Sequence, residues 1–256
     1  MYEAISIAAT GLRIQQSRLD TIADNIANIN TVGYKSSRLD FKDALYTAGM
    51  GPAYTQGGNQ QKGHGVMVSS ITRDFSNGTL AATGNDLDFA IEGDGFLELM
   101  GLGGRLLYTR RGNLYTAADG ENMYLVDANG NFMLNTDGAS IEVPKKTTKI
   151  EVSENGDILF LNGADVLKQD RLGFYRFPVI GGLVSVGDGS FEPSEVSGEK
   201  EYAAGAKIKQ GYLENANVNT SVEFTRLIRA QRAFTLAGRA LTTADNMEGI
   251  ANNMKR

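Results

Sequence analysis

The residues that could do chemistry are few and poorly spaced for it. The chain has one histidine, His64, and no cysteine. A Ser-His-Asp triad would have to use His64, and no Gly-x-Ser-x-Gly elbow presents a serine to it. Lying among glycines, His64 reads as an exposed loop residue. Without cysteine there is no disulfide, no thiolate zinc site and no Cys nucleophile. Asp127-Ala-Asn129-Gly-Asn131 begins like a calcium loop. However, Phe132 stands where that loop requires glycine, and Gly138 where it requires a bidentate glutamate. The stretch reads as a hairpin turn. Gly101-Leu-Gly103-Gly104 lacks both the third glycine of a dinucleotide fingerprint and the Lys-Ser/Thr of a phosphate loop. Glu92 with Asp94, and Asp86 with Asp88, are close carboxylate pairs of the kind glycoside hydrolysis uses. Turns use the same residues, and that reading is preferred. The expectation is a protein with no catalytic, cofactor or metal site.

The elements point elsewhere. Ile5, Leu12, Leu19 and Ile26 fall seven apart, with Ala8, Gln15, Ile22 and Ile29 interleaved. Near the other end Leu227, Phe234 and Leu241 repeat the spacing, flanked by Phe224 and Met247. Such narrow stripes suit helix-to-helix pairing better than packing on a sheet. The spacing predicts one helix over 3–31, ended by Asn28 to Gly33, and another over 221–252 capped by Thr220 or Ser221. A seam without a partner does not offset the entropy of ordering it. The ends are therefore expected to be mobile in an isolated chain, around a protease-resistant core of about residues 40–210.

Between the helices, residues 34–46 read as an extended piece and a short helical turn, and 49–65 as a Gly-rich connector. A strand over 66–75 comes next. From 86 to 210 the chain is rich in turn pairs: Asp119-Gly120, Asn129-Gly130, Asp137-Gly138, Asn155-Gly156, Asn162-Gly163 and Asp188-Gly189. These supply the positive φ of two-residue hairpins. The segments between them, among them Leu87–Leu99 and Leu172–Val179, predict a mainly β domain, an antiparallel sandwich or barrel-like fold. The domain reading is 1–33 an assembly helix, 34–85 a connector, 86–210 the β domain and 211–256 a linker and second assembly helix.

A net charge of −5 gives no overall attraction for nucleic acid or anionic membrane. No run of about 18 apolar residues exists to span a bilayer. Glu3, Arg13 and the absence of a basic n-region speak against a secretory signal, which alone would indicate a cytoplasmic protein. Arg226, Arg229, Arg232 and Arg239 crowd the last helix. They are either a solvated face or partners for Asp20 and Asp24 of a neighbouring copy's first helix.

Several stretches carry a resemblance. Ala23-Asp-Asn25-Ile-Ala-Asn28-Ile-Asn-Thr31-Val-Gly33-Tyr-Lys35 resembles the N-terminal motif of bacterial flagellar rod and hook proteins. Gln210-Gly-Tyr-Leu-Glu214-Asn-Ala-Asn217-Val218-Asn219 and Leu227-Ile-Arg-Ala-Gln231-Arg232-Ala-Phe234 resemble their C-terminal motif. Leu87-Asp-Phe-Ala-Ile-Glu-Gly-Asp-Gly-Phe96 and Tyr108-Thr-Arg110-Arg-Gly112 are similar to central motifs of the same family. The resemblance covers the whole chain.

It implies a structural subunit of the basal-body rod, exported by the flagellar type III apparatus without a cleaved signal peptide. The chain would polymerise helically into a hollow, torque-transmitting shaft across the periplasm. Terminal helices would form an inner coiled-coil tube rather than a clasp within one chain. Length and a single β domain favour the distal rod type over proximal rod or hook-type members. The implied partners are its own copies, neighbouring rod and hook proteins, the export apparatus, ring proteins and peptidoglycan. The expected interface is Ile5, Leu12, Leu19, Ile22, Ile26 and Ile29 with Phe224, Leu227, Ile228, Phe234 and Leu241. From another class, a β domain binding saccharide would need aromatics gathered on one exposed face.

Overall fold

The computed structural model describes residues 2–44, 46–48, 61–63, 65–101 and 103–254. His64 and residues 49–60 of the connector lie outside them. The described chain divides into two compact units. One holds residues 1–27, 37–73 and 219–256; the other holds 28–36 and 74–218.

The first unit contains the two long helices, α1 (Tyr2–Ala27) and α2 (Thr220–Asn253), which, against the expectation, pack on each other within one chain. Helix α1 stops at Ala27, four residues short of expectation. Near that end the side chain of Asn25 grips the next strand. Its amide donates to the Ser37 carbonyl at 2.9 Å and its oxygen accepts from the Ser37 N–H at 2.8 Å, as a neighbouring strand would. Helix α2 is capped by Asn219 rather than Thr220 or Ser221; its side-chain oxygen accepts from the Val222 N–H. Glu223 in the first turn suits the positive end of the helix. The helical turn expected within 34–46 is absent among the described residues. Strand Ser37–Asp43 pairs antiparallel with Val66–Arg73, and Tyr46–Ala48 with Gln61–Gly63. In the first of these strands Leu39 is the buried residue, while Ile71 opposite it across the ladder is 63% exposed.

The second unit is mainly β and antiparallel. Its largest sheet runs Glu142–Val143, Asn122–Val126, Phe132–Met133, Phe96–Met100, Leu106–Thr109, Ser190–Glu192, Val184–Gly187. A three-stranded sheet, Lys149–Val152, Asp157–Asn162 and Asp165–Arg171, contributes Ile150, Ile158 and Phe160 to one core with Leu97, Leu99, Leu125 and Met133. The expected segment Leu87–Leu99 is broken into Phe89–Glu92 and Phe96–Met100 by Gly93-Asp94-Gly95. Strand Phe96–Met100 is buried on both faces, which is why it reads as nearly unbroken apolar sequence. Leu97 and Leu99 enter the main core, and Phe96 enters an aromatic cluster with Tyr108, Tyr175, Phe177 and Phe191. Asp188 (φ 49°) and Gly189 (φ 68°) form the hairpin turn between Val184–Gly187 and Ser190–Glu192, the left-handed pair that such turns demand.

Candidate assembly site

The helix pair has a thin interior. Among the described residues of α1 only Ile14, Ile22 and Asn25 are buried, and the predicted seam residues Ile5, Leu12, Leu19 and Ile26 are half-buried. Ile29 lies beyond the end of α1 and so cannot extend its seam. On α2 the buried and half-buried positions are Glu223, Leu227, Ala230, Phe234, Ala237, Leu241, Ala244 and Glu248, with Ala233 and Gly238 beside them. The first eight alternate in steps of four and three, which is heptad spacing. The large residues of this face stand out in the sequence. The alanines between them do not, although Ala230, Ala237 and Ala244 are also seven apart.

Phe224 and Ile228 fall elsewhere, 48% and 51% exposed. With Leu236, Met247 and Ile250 they form a second apolar stripe, roughly opposite the first at about 100° per residue. Gln231, Arg229, Arg232 and Arg239 are exposed on α2 as well. None of these arginines has an ion-pair partner among the described residues, whereas Arg226 pairs with Glu223 at 2.5 Å.

In the second unit the motif residues converge. Glu214 is fully buried, and its carboxylate accepts from Lys35 Nζ at 2.8 Å, Arg110 Nε at 2.9 Å and the Gly78 N–H at 2.7 Å. Arg110 also donates to the Asn77 side chain and the Gly93 carbonyl, and Lys35 to the Ser76 carbonyl. One carboxylate thus serves two buried cations. Burial pushes the Lys35 ammonium down, Arg110 adds to that, and Glu214 only partly opposes it. Burial alone would raise the Glu214 carboxyl, but the Arg110 charge and the Lys35 hydrogen bond outweigh it and hold it low.

Around this cluster the backbone is tied directly. The Gly33 N–H donates to the Glu214 carbonyl at 2.7 Å. Gly33 has φ 65°, and a Cβ there would sit 3.0 Å from three backbone atoms of Arg110 and Arg111. Asn28 accepts from the Thr31 hydroxyl. Asn217 accepts from the Ser36 N–H and donates to the Asp74 carbonyl; Val218 beside it is half-buried. Lys35, Arg110 and Glu214 do not stand out from the sequence as a site, though each lies inside one of the family motifs.

Three of the carboxylates weighed for chemistry, Asp127, Glu92 and Asp88, have partners of their own. Asp127 accepts from the Asn129 and Asn131 N–H groups, making the turn. Glu92 pairs with Lys209, and Asp88 accepts from Thr83 and Asn85. Glu98, buried against the aromatic cluster, accepts from the Tyr108 hydroxyl at 2.7 Å and Lys200 at 2.5 Å. Burial, then Glu98, raises the Tyr108 hydroxyl far above its usual range. Of the aromatics in this unit, Tyr115 and Tyr212 are the clearly exposed ones among the described residues, and they lie on different sheets. Tyr124 and Phe132, both half-buried, meet edge to face at 87°.

These converging motifs have counterparts in known proteins. Residues 5–35 match the family described as flagella basal body rod protein, 90–160 the flagellar hook protein FlgE/F/G D1 domain, and 209–254 the flagellar basal body rod FlgEFG protein C-terminal region. The flagellar basal-body rod protein FlgG of Agrobacterium fabrum is 36% identical over 98% of this chain and 99% of its own length. The chain belongs to the flagellar basal-body rod protein family. The Bacillus subtilis FlgG rod protein is 34% identical across the full length of both chains. A FlgF rod protein of Mesorhizobium japonicum is 31% identical over 91% of this chain and 90% of its own. The three matched regions supply the members of the buried cluster: Lys35 from the first, Arg110 from the second and Glu214 from the third.

Proposed function

We propose that this chain is a structural subunit of the flagellar basal-body rod, of the distal type, that polymerises with its own copies through the terminal helices. The observation that carries this reading is the second apolar stripe of α2, Phe224, Ile228, Leu236, Met247 and Ile250. It is exposed although the opposite face of the same helix is already packed. A helix apolar on two faces is built for two neighbours. The stripe is interspersed with Arg229, Arg232 and Arg239, and α1 exposes Asp20, so opposite charges can set the register between copies. A contact between two different faces is heterologous, and such contacts propagate into helical filaments. Ile5, Leu12, Leu19, Ile22 and Ile26 then hold the pair within one subunit and line its approach to the next. A hollow shaft, export by the flagellar apparatus, and contact with rod, hook and ring neighbours complete the reading.

The test is Ile228→Asp with Leu236→Asp. Both positions are exposed, so the monomer should unfold as the parent does while polymers vanish from sedimentation and electron microscopy. Polymers of parental length in this variant would refute the assignment.

A further inference from the structure

Within the helical unit lies a cleft of about 220 Å³, lined by α1, strand Ser37–Asp43 and α2. Its lower wall is apolar, from Ile22 and Leu39, both buried. The remaining lining is Arg18, Arg38, Arg226 and Glu223, with Thr21, Ser37 and Phe41 between them. Glu223 is 3% exposed, and its two oxygens differ. One accepts from Arg226; the other, Oε2, is buried with no hydrogen-bond partner. Arg38 is paired with Asp40. Arg18 pairs with no carboxylate among the described residues and lies 5.8 Å from the Phe41 ring centre.

A buried carboxylate oxygen left without a donor is costly and rare in finished structures. As the side chains stand, no described group donates to Glu223 Oε2 and no described carboxylate accepts from Arg18. An incoming carboxylate would satisfy Arg18 but add a second anion beside Glu223. An incoming ammonium or guanidinium would satisfy Glu223 but add a fourth cation. An amide satisfies both without changing the charge, its N–H donating to Glu223 and its carbonyl accepting from Arg18.

We propose that this cleft is a socket for an amide group, an Asn or Gln side chain or a peptide unit, presented by a second copy of the chain. The occupant is a second copy because all three walls belong to the helical unit whose exposed stripe implies assembly. The socket thus rests on the proposed function and gives it a contact point.

Arg18→Gln and Glu223→Gln, made separately in the full chain, test it. The readout is the critical concentration for polymer, with the monomer's melting temperature as a control for folding. An amide occupant loses one charge-assisted hydrogen bond in either variant, so both should raise the critical concentration about tenfold. A carboxylate occupant would make Arg18→Gln weaker but Glu223→Gln tighter, and a cationic one would reverse that; either result overturns the amide. If neither variant changes assembly, water fills the cleft and the socket is wrong. Should the parent chain itself fail to polymerise, the proposed function falls, and the socket with it.

Discussion

The two units bury their side chains differently. In the β unit Phe89, Leu97, Leu99, Leu125, Met133, Ile141, Ile158, Phe160 and Leu172 are all at or near zero exposure. In the helical unit only Ile14, Ile22, Leu39, Ala230, Asn25 and Glu223 are buried among the described residues. The same unit exposes Ile71, Phe224, Ile228, Leu236, Met247, Ile250 and Met254. The β unit closes a deep core within one chain, although it too exposes apolar side chains such as Val166, Val184 and Val196. The helical unit does not, and its apolar residues are divided between an inner face and an outer one. A stable monomer needs the first arrangement; a polymer needs the second.

The sharpest break in this contrast should come from Glu214→Gln. It leaves Lys35 and Arg110 buried without their anion, which costs roughly 3–5 kcal/mol. Urea unfolding should show the loss in the β transition, with the helical signal of α1 and α2 little changed. The same variant should alter the acid limb. Because the folded carboxyl is held below its ordinary 4.5, its contribution is fully present above that value and drains away as pH falls through the lowered one. Glu214→Gln should therefore lose less stability than the parent on acidification. An unchanged acid limb would mean that the cluster does not hold the charge described.

A matched pair of truncations comes next. Phe160→Ala in the finished core should cost about 3–5 kcal/mol, since Phe160 is fully buried. Phe234, on the inner face of α2, is half-buried, and Phe234→Ala should cost about 1–2 kcal/mol. Equal losses by calorimetry would erase the distinction between the units. Gly33→Ala should cost about 2 kcal/mol, from a left-handed backbone and a Cβ pressed against Arg110.

Sequence carried the helices, the hairpins and the family motifs, because each has a local period or a local turn chemistry. It carried less where distant residues decide. Helix α1 ends where Asn25 finds Ser37, which no helical period records. Lys35 and Glu214 are 179 residues apart and meet only in the folded unit. The split of α2 into two apolar faces was hidden because Leu227 and Ile228 both read as seam. The alanines 230, 237 and 244, too small to look like core, mark which face is packed.

The smallest effect on the monomer should be the most informative about assembly. Phe224→Ser removes an aromatic side chain that is 48% exposed and lies on the outer face of α2. Surface changes of this kind stay within about 0.5 kcal/mol, so the melting temperature should hardly move. If the outer stripe is an interface, Phe224 is the kind of large apolar anchor that dominates binding energy. The critical concentration for polymer should then rise at least about tenfold, a loss typical of one hot-spot side chain. Leu241→Ala on the inner face should instead lower monomer stability before it affects assembly. A variant at Phe224 that is silent in both measurements would return the stripe to ordinary exposed surface. It would also remove the physical reason for treating the two faces of α2 as different.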